Sequence, residues 1–428
     1  MNEEAAKKLV ERHAAKLDID GKGGLRAAGE GVDKVQLVKA PAEGIPEVVS
    51  EYWQIEEVGR ALEAGHGPVA FDAERASGFT YSQRAYLVQL RREGAGSFLV
   101  DPVRCGDLSP IDTACQKSEW ILHAADQDLP CLAQVGMLPD KLFDTEVAAQ
   151  LLGMEHIGLA AVCEYALGKS LLKDHQADDW SKRPLPNDWL RYAALDVELL
   201  IPLRNKLSRA LQIAGKAQWA KQEMEAIRLA PPKEAPAEPW RKVPGAGKVR
   251  TPRGLEVLKR LWAERDEIAR ELNIAPTKIL RNQAMVAASQ AEATSRRQLL
   301  AIGAFRERKA RTRIANWARA ARAAGRTKES DLPERKKPNK RSLPGRRQWA
   351  KLRPGSAERL EIIRFCVHSL ADELSIWQEK LVAPAAQKQL AWQYAPGAEV
   401  EQILQSAGAR PWQIATVTDL LAEALTEL

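Results

Sequence analysis

Between Gly67 and Pro102 the apolar residues fall in short runs bounded by Gly, Pro and Asp: PVAFDAE, RAYLVQLRR and GSFLVDP. Each is the length of a strand and rich in β-branched or aromatic side chains, and EWILHAA at 119–125 is a fourth of the same kind. Beyond them the spacing of apolar residues lengthens to the helical period over Asp128–Val135, Asp144–Leu152 and Leu159–Leu167. Residues 187–211 read as one long amphipathic helix, with Asn187 or Asp188 as its N-cap. Clustered strands followed by strands alternating with helices predict an α/β layer built on a mixed sheet.

After residue 230 the pattern is entirely helical. Leu255, Leu258, Leu261, Trp262 and Leu272 form an apolar stripe, and Pro276 opens a further helix. Two stretches dense in Pro, Gly and charge punctuate this half. The expected division is an N-terminal extension (1–50), an α/β domain (51–229), a linker (230–250) and a helical bundle (251–329). A basic linker (330–356) and a second small bundle (357–428) complete it.

The chain has 428 residues, 64 Lys and Arg against 57 Asp and Glu, and a formal net charge of +7. That modest value conceals a split. Residues 241–353 hold 31 basic and 10 acidic side chains, a local charge of +21, which leaves −14 for the remainder. A basic block of this kind suits a polyanionic partner. Mean hydropathy is −0.37 and charge interrupts every long window, so no membrane-spanning helix and no membrane partner are expected. The first residues lack the apolar core of a secretion signal. Five scattered cysteines form no CxxC pair, which fits a reducing, cytoplasmic location.

Acidic residues stand where an apolar pattern wants none. In PVAFDAE a buried strand runs into Asp72 and Glu74, which at i and i+2 leave the same face. Two adjacent carboxylates repel unless they are protonated or share a cation, and hard divalent ions are held in this way. Alone, the DxE pair equally fits a strand ending in solvated charge. The apolar run EWILHAA leads to Asp128 in a first helical turn, which equally fits a helix cap. On the following helix Tyr192 and Asp196 are four apart and share a face that otherwise carries Trp189 and Leu199.

Taken together, FDAE, HAADQDL and YAALD resemble the three motifs of the DEDD exonuclease superfamily, in its Tyr-containing branch and within that the ribonuclease D family. FDTEVAAQLLG and DDWSKRPLPNDWLRYAALDVELL resemble the flanking segments, so the likeness covers roughly residues 50–215. It implies a ribonuclease H-like mixed sheet flanked by helices. It also implies 3′→5′ exonuclease activity releasing nucleoside 5′-monophosphates. Asp72, Glu74, Asp128 and Asp196 would hold two Mg²⁺ or Mn²⁺ ions, and Tyr192 would orient or help deprotonate the attacking water. The stretch from Thr251 resembles the HRDC domain, and 357–428 resembles a second, degenerate HRDC copy. The implied partner is RNA, such as tRNA precursors or other structured RNA, and the implied state is a monomer.

Further substrate contacts are expected at Gln89, at His123 beside the second motif, and at Trp180 and Arg183 in a Pro-bounded loop able to stack a base and pair a phosphate. Arg308, Lys336 and Arg341 represent the basic block as phosphate ligands. A strand residue, a core histidine, a packing loop and a solvated basic tether are the corresponding structural alternatives. Two other functions fit the sequence: a DNA 3′→5′ exonuclease of repair, because HRDC modules also occur in RecQ helicases, and a non-catalytic nucleic-acid binder on the same fold.

Overall fold

The computed structural model describes residues 3–17, 19–29, 34–171, 177–232, 234–335 and 343–428. Lys336 and Arg341 lie outside the described residues.

Among the described residues eight strands form two sheets: β1 (Gln36–Val38), β2 (Val48–Val49), β3 (His66–Arg75), β4 (Ala85–Glu93), β5 (Gly96–Val100), β6 (Glu119–Leu122), β7 (Lys141–Asp144) and β8 (Lys169–Leu171). The main sheet has the order β2-β5-β4-β3-β6-β7. β3 pairs antiparallel with β4 and parallel with β6, so the sheet is mixed, as the strand pattern predicts. The alternation along β3 explains its central place. Val69, Phe71 and Ala73 point into one buried layer, where Phe71 stacks on Trp120 at 3.8 Å between ring centroids. Ala70, Asp72 and Glu74 leave the opposite face, toward the helices Asn187–Glu198 and Leu200–Ile213. Both faces are therefore covered, as a layered α/β domain requires.

The single helix expected over 187–211 is two helices that meet at Leu199. The cause is Pro202 in the first turn of the second helix. It has no N–H to give to the carbonyl of Glu198, and its ring obstructs that carbonyl. The N-cap position is Pro186 rather than Asn187 or Asp188, and no side chain caps this helix. The helices and strands described before residue 50 are folded against the rest. The helix Glu3–Ala14 packs on the C-terminal bundle, with His13 Nε2 2.7 Å from the Thr416 carbonyl oxygen. β1 pairs with β8, and β2 is one edge strand of the main sheet.

The first helical bundle has a core of its own around Leu258, Leu261, Phe305 and Trp317. Trp240, Val243, Ala246 and Val249 from the expected linker pack into it, so the chain is already anchored before residue 251. This bundle meets the loop between β3 and β4. The Tyr81 hydroxyl donates to Asp266 at 3.1 Å, the Ser82 N–H donates to Asn273 at 3.0 Å, and Lys278 Nζ lies 3.8 Å from the Phe79 ring centroid.

The C-terminal bundle, chiefly Ser356–Glu373, Pro384–Gln393 and Pro411–Thr426, shares one continuous core with the α/β domain. Trp219 stacks on Trp412 at 4.5 Å, and the Trp377 indole donates to the Met154 carbonyl at 2.8 Å. At this seam Lys216 is fully buried, and its ammonium donates to the carbonyls of Leu151, Leu374 and Ser375 at 2.8, 2.6 and 3.1 Å. Among the described residues no helix is long and apolar enough to cross a membrane.

Lys216→Met keeps the apolar stem but strips three buried carbonyls of their donor. It should lower stability by about 3 kcal/mol, read from the midpoint of urea unfolding, with the C-terminal bundle melting before the α/β domain.

Candidate active site

Asp72 and Glu74 lie on the covered face of β3, opposite Gln89 and Leu87 of β4. One carboxylate oxygen from each of Asp72, Glu74 and Asp196 falls within 4.8 Å of the other two. Asp196 comes from the helix Asn187–Glu198, which packs across β3, β4 and β5. Tyr192 lies one turn earlier, and its phenol hydrogen-bonds the Asp196 carboxylate. Asp128 sits in the first turn of the helix Ala125–Ala133, and its field reaches Asp72, Glu74 and Asp196.

The electrostatics of the cluster are those of like charges removed from water. Burial pushes the Asp72 carboxyl up to about 6, opposed by a hydrogen bond from its neighbour's backbone and by Arg75. Glu74 is raised well above its ordinary value by burial and then by the charges of Asp72, Asp196 and Asp128. Asp128 is raised by burial and by Asp72, and Asp196 by burial and by Asp72 against the pull of the Tyr192 hydroxyl. The cation set against these acids is Arg75, with Nη2 at 3.7 Å from Asp128 Oδ1. Hard oxygen donors, excess negative charge and burial are the donor chemistry that suits Mg²⁺ or Mn²⁺. Asp72, Glu74 and Asp196 would share one ion, and Asp128 would complete a second with Asp72.

The other expected contacts divide sharply. Gln89 is fully buried beside Asp72, and neither atom of its amide has a protein hydrogen-bond partner. His123 is half-buried and held by the fold: Nδ1 lies 2.9 Å from Thr145 Oγ1, and desolvation lowers its pKa to about 4. Trp180 is fully buried against Trp189 and Tyr192 and offers no face to a base. Arg183 Nε donates to Asp101 at 2.6 Å, and its other nitrogens donate to the carbonyls of Trp180, Lys182 and Tyr86. Trp180 and Arg183 therefore serve to pack the loop onto β4, while Lys182 is exposed. Arg308 is exposed on the short helix Arg308–Thr312.

Two residues that the sequence did not single out belong to this region. Arg75 follows the DxE pair directly, and its opposition to the acids depends on the fold. Asp144, in FDTE, is 1% exposed and accepts backbone hydrogen bonds from two different segments.

Residues 46–212 match a family described as 3′-5′ exonuclease, residues 254–320 match the HRDC domain, and residues 342–425 match a 3′ to 5′ exonuclease C-terminal domain. A ribonuclease D from Cronobacter turicensis is 32% identical over 223 residues, which cover 50% of this chain and 59% of that protein. The chain carries a 3′-5′ exonuclease domain and an HRDC domain, and it is similar to ribonuclease D proteins. It spans about three fifths of the length of curated ribonuclease D proteins that it matches. A solved protein from Bifidobacterium adolescentis shares 34% identity at a TM-score of 0.85, covering 92% of this chain and 100% of its own. Escherichia coli RNase D, at 24% identity and a TM-score of 0.66 over 89% of this chain and 99% of its own, shows the same ribonuclease D fold. The terminal bundle, expected as a second HRDC copy, thus matches a description of its own.

With the Asp72 carboxyl at about 6 in the fold and 3.8 as its ordinary value, the ion-free fold binds a proton that the unfolded chain has released. Stability from this group is therefore lost as pH rises from about 4 to about 6. Mn²⁺ should restore it. Uptake should weaken below about pH 6 and release protons, as read by titration calorimetry in buffers of different ionisation enthalpy.

Proposed function

We propose that this ribonuclease D-type chain is a metal-dependent 3′→5′ exoribonuclease that trims RNA 3′ ends and releases nucleoside 5′-monophosphates. The convergence of Asp72, Glu74 and Asp196 oxygens within 4.8 Å, next to Asp128 and Tyr192, carries this reading. Two divalent ions bound there supply charge stabilisation to the scissile phosphate and lower the pKa of the attacking water.

The chain's own groups do the rest. The Tyr192 phenol donates to Asp196, which fixes the hydroxyl so that its oxygen can accept a hydrogen bond from the attacking water and orient it. Arg75 faces the cluster and can neutralise charge that develops on a phosphate oxygen. Trp180, itself packed on Trp189, backs Tyr192 and keeps its ring from turning away. The buried Gln89 amide, beside Asp72 and without a protein partner, is suited to a ligand bound in the cleft.

RNA as substrate rests on the similarity to ribonuclease D and on the basic helical region. Escherichia coli RNase D is described as an exoribonuclease involved in structured RNA processing, and tRNA precursors or similar structured ends are the substrates proposed here. Exposed Arg296, Arg297, Arg306, Arg308 and Lys309 in the HRDC domain would neutralise phosphates beyond the reacting end, acting on one chain as a monomer.

Incubated with Mg²⁺ or Mn²⁺, a 5′-labelled RNA should shorten stepwise from its 3′ end, and Asp72→Asn or Asp196→Asn should reduce the rate at least about 1,000-fold. Full activity of both variants would refute the site. Faster degradation of a matched DNA strand would assign the chain to DNA instead. Binding without cleavage by the native chain would make it a non-catalytic binder.

A further inference from the structure

Asp144 is the last residue of β7 and lies outside the Asp72, Glu74 and Asp196 ligand set. Its carboxylate accepts four backbone N–H groups. Glu146 N at 2.8 Å and Val147 N at 3.3 Å cap its own helix, Thr145–Leu151. Ala124 N at 3.1 Å and Ala125 N at 2.8 Å belong to a different segment, the start of the helix that carries Asp128.

That second pair answers a local defect. The first amides of any helix lack intrahelical acceptors, and a side-chain oxygen at the N-cap normally takes one or two of them. Here the N-cap is Ala124, which has no such oxygen and holds φ 59° and ψ 52°, in the left-handed region that alanine disfavours. β6 ends at Leu122, so the chain has two residues in which to leave the sheet and turn into the helix. Asp128 follows within the first turn. Its place relative to Asp72 is therefore set by the direction in which that turn departs.

We propose that Asp144 is the positioning residue for Asp128: from the neighbouring strand it supplies the missing cap, holds Ala124 left-handed, and so aims the Asp128 carboxylate at Asp72. The assignment rests on reading the acidic cluster as a divalent-ion site. It gives the FDTE segment a task distinct from ligation and explains why a carboxylate is buried there outside the Asp72, Glu74 and Asp196 group.

Asp144→Asn breaks the tie to Ala125 alone, because Oδ1, which accepts from Ala124, Glu146 and Val147, stays an oxygen. It retains an oxygen for the Thr145–Leu151 helix while turning an NH₂ toward the Ala125 amide. Titration calorimetry of the full chain with Mn²⁺ should then show affinity at least about 10-fold weaker. Hydrogen exchange should quicken over 123–128 and stay at wild-type rates over 145–151. Wild-type Mn²⁺ affinity in the folded variant would overturn the proposal, as would exchange that quickens equally in both segments. If the unaltered chain takes up no Mn²⁺, the ion-site reading itself fails, and the proposal with it. Should Asp144→Asn not fold, Asp144→Ser carries the same comparison, since serine caps its own helix equally well but is too short to reach Ala124 and Ala125.

Discussion

Mutual repulsion among buried carboxylates is the constraint around which this molecule is organised. Removing one carboxylate from water already disfavours its charged form, and placing others within a few ångströms adds to that cost. Asp72, Glu74, Asp128 and Asp196 meet both conditions. A chain holds such a cluster only if each contributing element is anchored elsewhere. β3 is pinned between β4 and β6, and Phe71 stacks on Trp120 on the far side of the sheet. The Asn187–Glu198 helix is fixed by the Trp180, Trp189 and Tyr192 cluster, and the Asp128 helix is held at its N-terminus by Asp144. Stability invested in these anchors keeps the acids in place for a cation.

The three domains relate to that cluster differently. The C-terminal bundle shares a core with the α/β domain, and the N-terminal helix packs on it from outside, so the two behave as one packed body. The HRDC domain has a separate core and reaches the α/β domain through the loop from Phe79 to Tyr86. That loop joins β3, which carries Asp72 and Glu74, to β4, which carries Gln89. The HRDC domain thus touches the connection between the two strands that line the acidic cleft.

Much of the site was legible before any coordinates. A strand puts i and i+2 on one face and a helix puts i and i+4 on one face, so the pairs Asp72/Glu74 and Tyr192/Asp196 follow from local periodicity. The loop at 178–184 shows where such reading stops. Trp180 and Arg183 are the residue types that bind nucleic acid, yet one is core and the other is consumed by Asp101 and three carbonyls. Residue type reports what a side chain can do, whereas burial decides whether it is free to do it. The same holds for His123, and for the N-terminal arm, whose weak periodicity hid its packing because it borrows its apolar partners from distant segments.

The sequence by itself determined the alternations that make β3 a two-faced strand, the interruption that Pro202 imposes, and the split between an acidic and a basic half. These depend on backbone geometry and composition, which act over a few residues. Only the tertiary structure decided that Asp128 and Asp196 arrive beside Asp72, that Arg75 stands against them, and that a carboxylate on β7 caps a helix that begins at residue 125. Those are contacts between segments far apart in the chain. They are fixed by the order of strands in the sheet and by which layer each helix covers, and no local periodicity encodes that choice.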